Sequence, residues 1–242
     1  MKRMLGAAAV AAAFAIAVPT YAAAPGAQDS AFQFRLGGFF PGGGGSFWDA
    51  NEAAFTLDHS DFNGLYGGVG YVASINNYLE FGLGLDFYSE TVRSADRFYT
   101  DQNGYAILHD TRLSLTPITA DIRYLPTGRY KERGPNGQHL VRHPVPYLGA
   151  GIGANYWQYQ EEGDFVASDL SIVYDRLTAS GFAFEKHVLA GVEFPVSPRW
   201  NIYFEGRYSW SDTTPGGVFD VVNPGRLDLG GASAVVGGSL RF

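Results

Sequence analysis

The stretch Trp200-Asn201-Ile202-Tyr203-Phe204-Glu205-Gly206-Arg207-Tyr208-Ser209-Trp210 constrains the fold more than any other part of the chain. Its even positions are Trp, Ile, Phe, Gly, Tyr and Trp; its odd positions are Asn, Tyr, Glu, Arg and Ser. Only a β-strand sorts residues onto opposite faces with a period of two. At about 3.4 Å per residue the stretch spans roughly 34 Å. A tilt of about 45° shortens that to roughly 25 Å, the height of the apolar band on a membrane-spanning barrel. Trp200, Tyr208 and Trp210 then fall where an aromatic girdle meets water. A half-buried strand of a soluble protein has no reason to carry an indole at each end. This strand is built to face lipid.

The N-terminus reads as an address. Lys2 and Arg3 precede an apolar, alanine-rich run from Leu5 to Val18, and Thr20 and Ala22 supply small residues for cleavage before Ala23. That run is too short to span a bilayer as a helix, for which about 18 apolar residues are needed. Residues 1–22 are therefore predicted to be a cleaved signal peptide and 23–242 one β-barrel domain. The chain has no cysteine, which excludes both a disulfide framework and a lipidated N-terminus. Loss of Lys2 and Arg3 with the leader takes the formal charge from −7 to −9. Nucleic acid is thus not an expected partner, because neutralising phosphates needs a basic footprint. No later segment is long and apolar enough to cross as a helix, so a membrane location demands a closed barrel.

The rest of the chain supplies seven more alternating segments. They begin with Phe32–Leu36, Leu65–Ala73 and a third strand that sets Leu79, Phe81, Leu83, Leu85 and Phe87 against Tyr78, Glu80, Gly82, Gly84 and Asp86. In the fourth, Leu113 and Leu115 occupy odd positions but Ile118, Ala120, Ile122 and Tyr124 even ones. Such a slip predicts a β-bulge at Thr116-Pro117, where proline is tolerated. Tyr147–Trp157, Phe182–Phe194 and Ala234–Phe242 complete the set with the opening stretch. Long loops are expected at 41–63, 93–110 and between the fifth and sixth strands. Short turns join the other ends, apart from a basic connection over 127–144 that carries Arg129, Lys131, Arg133 and Arg142. The layout is an all-β, eight-stranded antiparallel transmembrane barrel of the outer-membrane type.

Several stretches carry a resemblance to a known family. Arg35-Leu36-Gly37-Gly38-Phe39-Phe40-Pro41, Leu115-Thr116-Pro117-Ile118-Thr119-Ala120-Asp121-Ile122-Arg123-Tyr124, Pro146-Tyr147-Leu148-Gly149-Ala150-Gly151-Ile152-Gly153-Ala154 and the terminal Ser239-Leu240-Arg241-Phe242 are similar to the outer-membrane β-barrel domain family of small OmpA-, OmpX- and OmpW-like barrels. The resemblance implies a Gram-negative outer membrane, with its lipid and lipopolysaccharide as surroundings. It also implies that Phe242 is the assembly signal read by the barrel-assembly machinery, with periplasmic chaperones as partners during biogenesis. Members of the family range from anchors to channels to enzymes, so membership leaves the role open.

With apolar residues outside, the inward set is Arg35, Glu80, Asp86, Arg112, Asp121, Arg123, Glu185, His187, Glu193, Glu205, Arg207 and Arg241. Eight strands leave room only for side chains or one small ligand. Charges enclosed there must pair. The expected interior is a charged plug, and the expected role is structural or surface-interactive in a monomer. A narrow channel for small hydrophobic molecules, entered past Phe39, Phe40, Phe47, Trp48, Phe55 and Phe62, is the alternative; a lipid-modifying hydrolase is a third reading.

Catalytic constellations are weak. His59 and Ser60 are sequence neighbours that a pleat would turn apart, with no carboxylate evidently placed to orient the imidazole. His187 shares an inner face with Glu185 and Glu193, but Leu189 stands where a deacylase barrel would carry serine. The histidines lack the spacing of a metal site. No catalytic residue, metal or cofactor is therefore expected. Acidic loop residues, Asp49, Glu52, Asp58 and Asp61 in the first loop and Glu161, Glu162, Asp164, Asp169 and Asp175 in the third, suit a soluble outer surface or divalent bridging to lipopolysaccharide.

Overall fold

A computed structural model describes residues 30–130, 132–133, 139–140, 143–167, 169–219, 223 and 225–242. The predicted signal peptide lies outside the described residues, as do Lys131 and Arg142 of the basic connection. The strands run in chain order as β1 (Ser30–Pro41), β2 (Gly64–Ser74), β3 (Leu79–Thr100), β4 (Ala106–Tyr124), β5 (Glu132–Arg133), β6 (His139–Leu140), β7 (Val145–Val166), β8 (Ile172–Pro195), β9 (Trp200–Thr213), β10 (Leu227–Asp228) and β11 (Gly231–Arg241). Eight of them close a ring in the order β1-β2-β3-β4-β7-β8-β9-β11, every pair antiparallel, with β11 returning to β1. β5 pairs with β6 in a separate small hairpin, and β10 adds to the end of β9. Closure leaves no edge with unpaired backbone groups, the condition for crossing hydrocarbon.

Turn chemistry sets the ends. Asn76 Oδ1 accepts from the backbone N–H of Tyr78 and Leu79 at 2.8 and 3.0 Å, tying the β2–β3 turn. At the same end Ser197 Oγ accepts from Trp200 N–H at 3.2 Å. The opposite end is longer than the sequence suggests. Much of the predicted 93–110 loop is strand, since β3 continues to Thr100 and β4 begins at Ala106. Glu161, Glu162, Asp164 and Asp175 likewise lie on β7 and β8 rather than in a loop. Segment 41–63 folds into helix α1 (Ser46–Ala54) and a 3-10 turn, His59–Phe62, capped by Asp58.

No bulge forms at Thr116-Pro117. Pairing of β4 with β7 runs unbroken from His109↔Gly163 to Tyr124↔Leu148. On the β3 side pairing lapses beside the proline, which has no N–H to give, and resumes in the same register from Leu85↔Ile118 to Tyr88↔Leu115. What changes is the surroundings. Odd residues of β4 point inward along its whole length, so Leu113 and Leu115 are buried inside while Ser114 and Arg112 face out. The same exchange occurs on β7, where outward Ile152, Ala154 and Tyr156 give way to Gln158 and Glu162 as inward Asn155 gives way to Trp157 and Tyr159. Tyr88, Leu115 and Trp157 lie opposite one another across three strands. On these three strands the stretch toward the short turns is greasy outside and polar within, and the stretch beyond Tyr88, Leu115 and Trp157 is the reverse. There, along each of these strands, lipid yields to water.

Candidate functional site

The interior is built in two layers. At the short-turn end, Glu80 of β3 and Glu193 of β8 meet two guanidinium groups. Arg129 Nε donates to Glu80 Oε1 at 2.6 Å and its Nη1 to Glu193 Oε1 at 3.0 Å. Arg241 Nε donates to Glu193 Oε1 at 3.0 Å and its Nη2 reaches Glu80 Oε1 at 3.3 Å. Asn201 Nδ2 adds a bond of 2.5 Å to Glu193 Oε1.

One level further in, Arg35 forks onto Asp86, with Nε–Oδ1 2.5 Å and Nη2–Oδ2 2.7 Å. Arg207 bridges Asp86 Oδ2 at 3.5 Å and Glu205 Oε1 at 3.3 Å. Arg123 donates to Asp121 Oδ1 at 2.7 Å and to Gln33 Oε1 at 3.2 Å, and lies over the Tyr147 ring. Tyr147 donates its hydroxyl to Glu205 Oε2 at 3.0 Å. Glu185 and His187 sit alongside, 3.6 Å apart, and both His187 nitrogens lack a hydrogen-bond partner among the described residues. Lumen glycines make room for the larger groups: a Cβ on Gly151, Gly191 or Gly237 would run into His187, Tyr147 or Tyr203 respectively.

Arg112 is corrected. It lies on the water-facing exterior of β4, where its Nε donates to Thr91 Oγ1 at 2.8 Å. The expectation rested on a phase slip that does not exist. Arg129, which the sequence places in the basic connection over 127–144, folds back into the barrel end and is 1 % exposed. The charges held the only clue: without Arg112 the inward set carries six carboxylates against four arginines. The other predicted lumen residues, Arg35, Glu80, Asp86, Asp121, Arg123, Glu185, His187, Glu193, Glu205, Arg207 and Arg241, are all buried.

Beyond a cavity of about 10 Å³ beside Tyr66, Asn155 and Arg207, the interior turns apolar. Phe39, Tyr66, Tyr88, Leu113, Leu115, Trp157 and Tyr159 project from the wall. Against them pack Phe47, Trp48, Leu57 and Phe62 of the first loop and Phe219, Leu227 and Leu229 of the last connection. Trp48 meets Phe62 edge-on at 5.2 Å, Phe47 meets Tyr159 at 4.9 Å, and Trp48 Nε1 donates to the Asp228 carbonyl at 3.0 Å. Phe47, Trp48 and Asn51, spaced i, i+1 and i+4 on one helical face, hold α1 down on this cluster. First-loop aromatics thus pack into the barrel mouth, and among Phe39, Phe40, Phe47, Trp48, Phe55 and Phe62 only Phe40 is directed outward.

Outside, Trp200, Tyr208 and Trp210 all face the surroundings, and Tyr208 packs edge-on against Trp210 at 4.8 Å. Lys186, an outward cation among apolar neighbours, stands opposite Trp210 with its ammonium 5.9 Å from the ring, at the rim where its stem can snorkel. Phe242 closes the ring: its N–H donates to the Ser30 carbonyl at 3.0 Å and its side chain packs on Phe32.

Two histidine arrangements went unforeseen. Glu52 Oε1 lies 2.9 Å from His59 Nδ1, with Asp58 at 3.4 Å, so a carboxylate does orient that imidazole. α1 carries Glu52 back over the turn, which the linear sequence cannot show. Ser94 Oγ and His109 Nε2 are 3.1 Å apart as a buried cross-strand pair. His109 Nδ1 has no partner among the described residues, and Phe55 and Phe165 cover the ring. That burial holds the imidazole pKa below its ordinary value. Among the described residues no third group bonds His109 Nδ1 to orient it, so the pair lacks a part of a triad.

No protein-family model and no curated protein sequence matches the chain. Among solved structures, the outer membrane protein OprG from Pseudomonas aeruginosa shares 15 % identity over 90 % of this chain and 98 % of its own, with a TM-score of 0.50. Neisserial surface protein A aligns at 15 % identity over 89 % and 98 %, with a TM-score of 0.47. The fold is that of the small eight-stranded outer-membrane barrels.

Proposed function

We propose that the chain is a Gram-negative outer-membrane barrel with a structural or surface-interactive role, envelope integrity or adhesion-like contact through its extended outer end, and that it performs no catalysis. Two features of the interior support the reading, a lattice of buried ion pairs below and a packed aromatic cluster above, and on this reading together they close the lumen. Each buried carboxylate of Glu80, Asp86, Glu193 and Glu205 is matched by arginine. Opening a path would leave charges buried and unpaired at several kcal/mol each.

In this reading the termini and short turns face the periplasm, and outer-membrane lipid and lipopolysaccharide surround a monomer. Phe242 is the mark read by the barrel-assembly machinery after periplasmic chaperones deliver the chain. Burial of Phe47, Trp48 and Phe62 weighs against a hydrophobic-solute channel.

Planar bilayers test it. The purified protein is expected to give no steady conductance, and Glu205→Gln or Arg207→Gln to lower unfolding stability. Stable ion currents in the unaltered protein, tuned by those substitutions without loss of stability, would overturn the closed cylinder. Release of fatty acid from lipid A would revive the hydrolase.

A further inference from the structure

Above the apolar layer, α1, the β7–β8 extension, Val218 and Asn223 line an open cavity of about 450 Å³. Ala54, Phe55, Phe165, Val173, Leu177 and Val218 make most of its wall apolar. One ionisable side chain is set deep in that wall. Glu161 is inward-facing on β7 and only 4 % exposed. Its Oε1 accepts the Tyr159 hydroxyl proton at 2.7 Å, and the same hydroxyl accepts from Asn51 Nδ2 at 3.0 Å. Oε2 has no partner among the described residues, and no Arg, Lys or His among them pairs with this carboxyl. That contrasts with Glu80, Asp86, Asp121, Glu193 and Glu205 of the lumen, each of which meets a guanidinium group.

We infer that this cavity binds a small organic ammonium with an aliphatic or aromatic body, its N–H donating to Glu161 Oε2 and its body filling the space between Phe55, Phe165 and Leu177. The volume is that of a small-molecule site, apolar with few polar groups to fix orientation. An anion would meet Glu161 and also Asp175, the exposed carboxylate on the β8 side of the wall. A hard metal ion takes six or more oxygen ligands, which this wall does not supply. A charged donor instead makes the stronger, charge-assisted hydrogen bond with a carboxylate already held in place by Tyr159.

The groups around Glu161 permit ionisation on demand. Burial holds its pKa up at about 7. Tyr159 donates from β7, Thr111 on β4 lies directly opposite with a neutral hydroxyl, α1 offers the neutral Asn51, the last connection the neutral Asn223, and β8 the acidic Asp175. An incoming ammonium therefore meets no resident cation among the described residues and draws the carboxyl into its ionised form.

Calorimetry on the full-length folded protein in nanodiscs tests the assignment, with empty nanodiscs as the blank. The probes are 2-phenylethylamine, 2-phenylethanol and phenylacetate. The amine is expected to saturate a single site at neutral pH, at least about tenfold more tightly than the alcohol, with phenylacetate excluded. Glu161→Gln, which keeps an acceptor for Tyr159, should erase that preference; Ala54→Trp should fill the cavity and abolish binding. Equal affinity for amine and alcohol in the unaltered protein would sink the proposal, whatever the variants do. So would undiminished amine binding in folded Glu161→Gln, with folding checked by heat-modifiable gel migration.

Discussion

Arg241 grips both carboxylate oxygens of Glu193, its Nε donating to Oε1 at 3.0 Å and its Nη2 to Oε2 at 3.2 Å. β11 and β8 are not neighbours in the ring, because β9 stands between them. The pair therefore braces the barrel across its interior rather than along its wall. Replacing one member strands the other in a low-dielectric space. Arg241→Met is expected to cost about 3–5 kcal/mol in urea unfolding from lipid vesicles followed by tryptophan fluorescence. Arg129→Met shares both carboxylates, so the double variant should fall short of the summed losses. An unmoved unfolding midpoint in Arg241→Met would show the brace to be idle.

Trp48 is the keystone of the mouth, fully buried and bonded to the Asp228 carbonyl. Trp48→Ala should remove about 3–5 kcal/mol of packing from the cap. The loss is local, so proteolysis of folded protein should newly cut 41–63 and 213–231 while the membrane strands stay protected. Wild-type resistance in those two segments would contradict the packing described.

Glu161 makes the outer end sensitive to pH. Its carboxyl, ordinarily titrating near 4.5, does so at about 7 in the fold because burial disfavours the charged form. Between those values the folded chain keeps a proton that the unfolded chain has released. Glu161's contribution to stability should therefore be full below about pH 4.5, decline as pH rises, and be lost above about 7, a change on the order of 3 kcal/mol. Urea midpoints from pH 4.5 to 7.5 would record the slope, and Glu161→Gln should flatten it. A variant with the same slope as the parent would place the titration elsewhere.

Phe242 offers a test that separates assembly from stability. Its ring is about half exposed and touches Phe32, so its loss costs the finished barrel little. Deleting it is expected to leave detergent refolding nearly intact while cells accumulate and degrade unassembled protein in the periplasm. Normal outer-membrane recovery of the truncated chain would remove the assembly role.

Period-two alternation exposed the strands wherever both environments were simple. From Trp200 to Trp210, lipid lay on one side and a polar lumen on the other, so polarity alone gave the correct facing. Leu113, Leu115 and Arg112 defeated the same logic. Outside the bilayer water takes the place of lipid, and apolar then means inward. The strand had not slipped; its solvent had changed. Strand ends were underestimated for the same reason, since Glu162, Asp164 and Arg176 look like loop residues only if strands are expected to stop with the hydrocarbon. Arg129 and the Glu52–His59 contact lay beyond any periodic reading, because chain reversals through irregular segments bring them into place. The cavity at Glu161 depends on where α1 comes to rest, and nothing in the local sequence specifies that.

The exchange of faces at Tyr88, Leu115 and Trp157 has a mechanical consequence. Gln158, then Arg112 and Glu162, follow it along the outer wall, so sinking the barrel would drag polar groups one after another into oil. In a membrane of unsuitable thickness the lipids, not the barrel, must yield: the cylinder keeps its height, and neighbouring acyl chains stretch or splay to meet it.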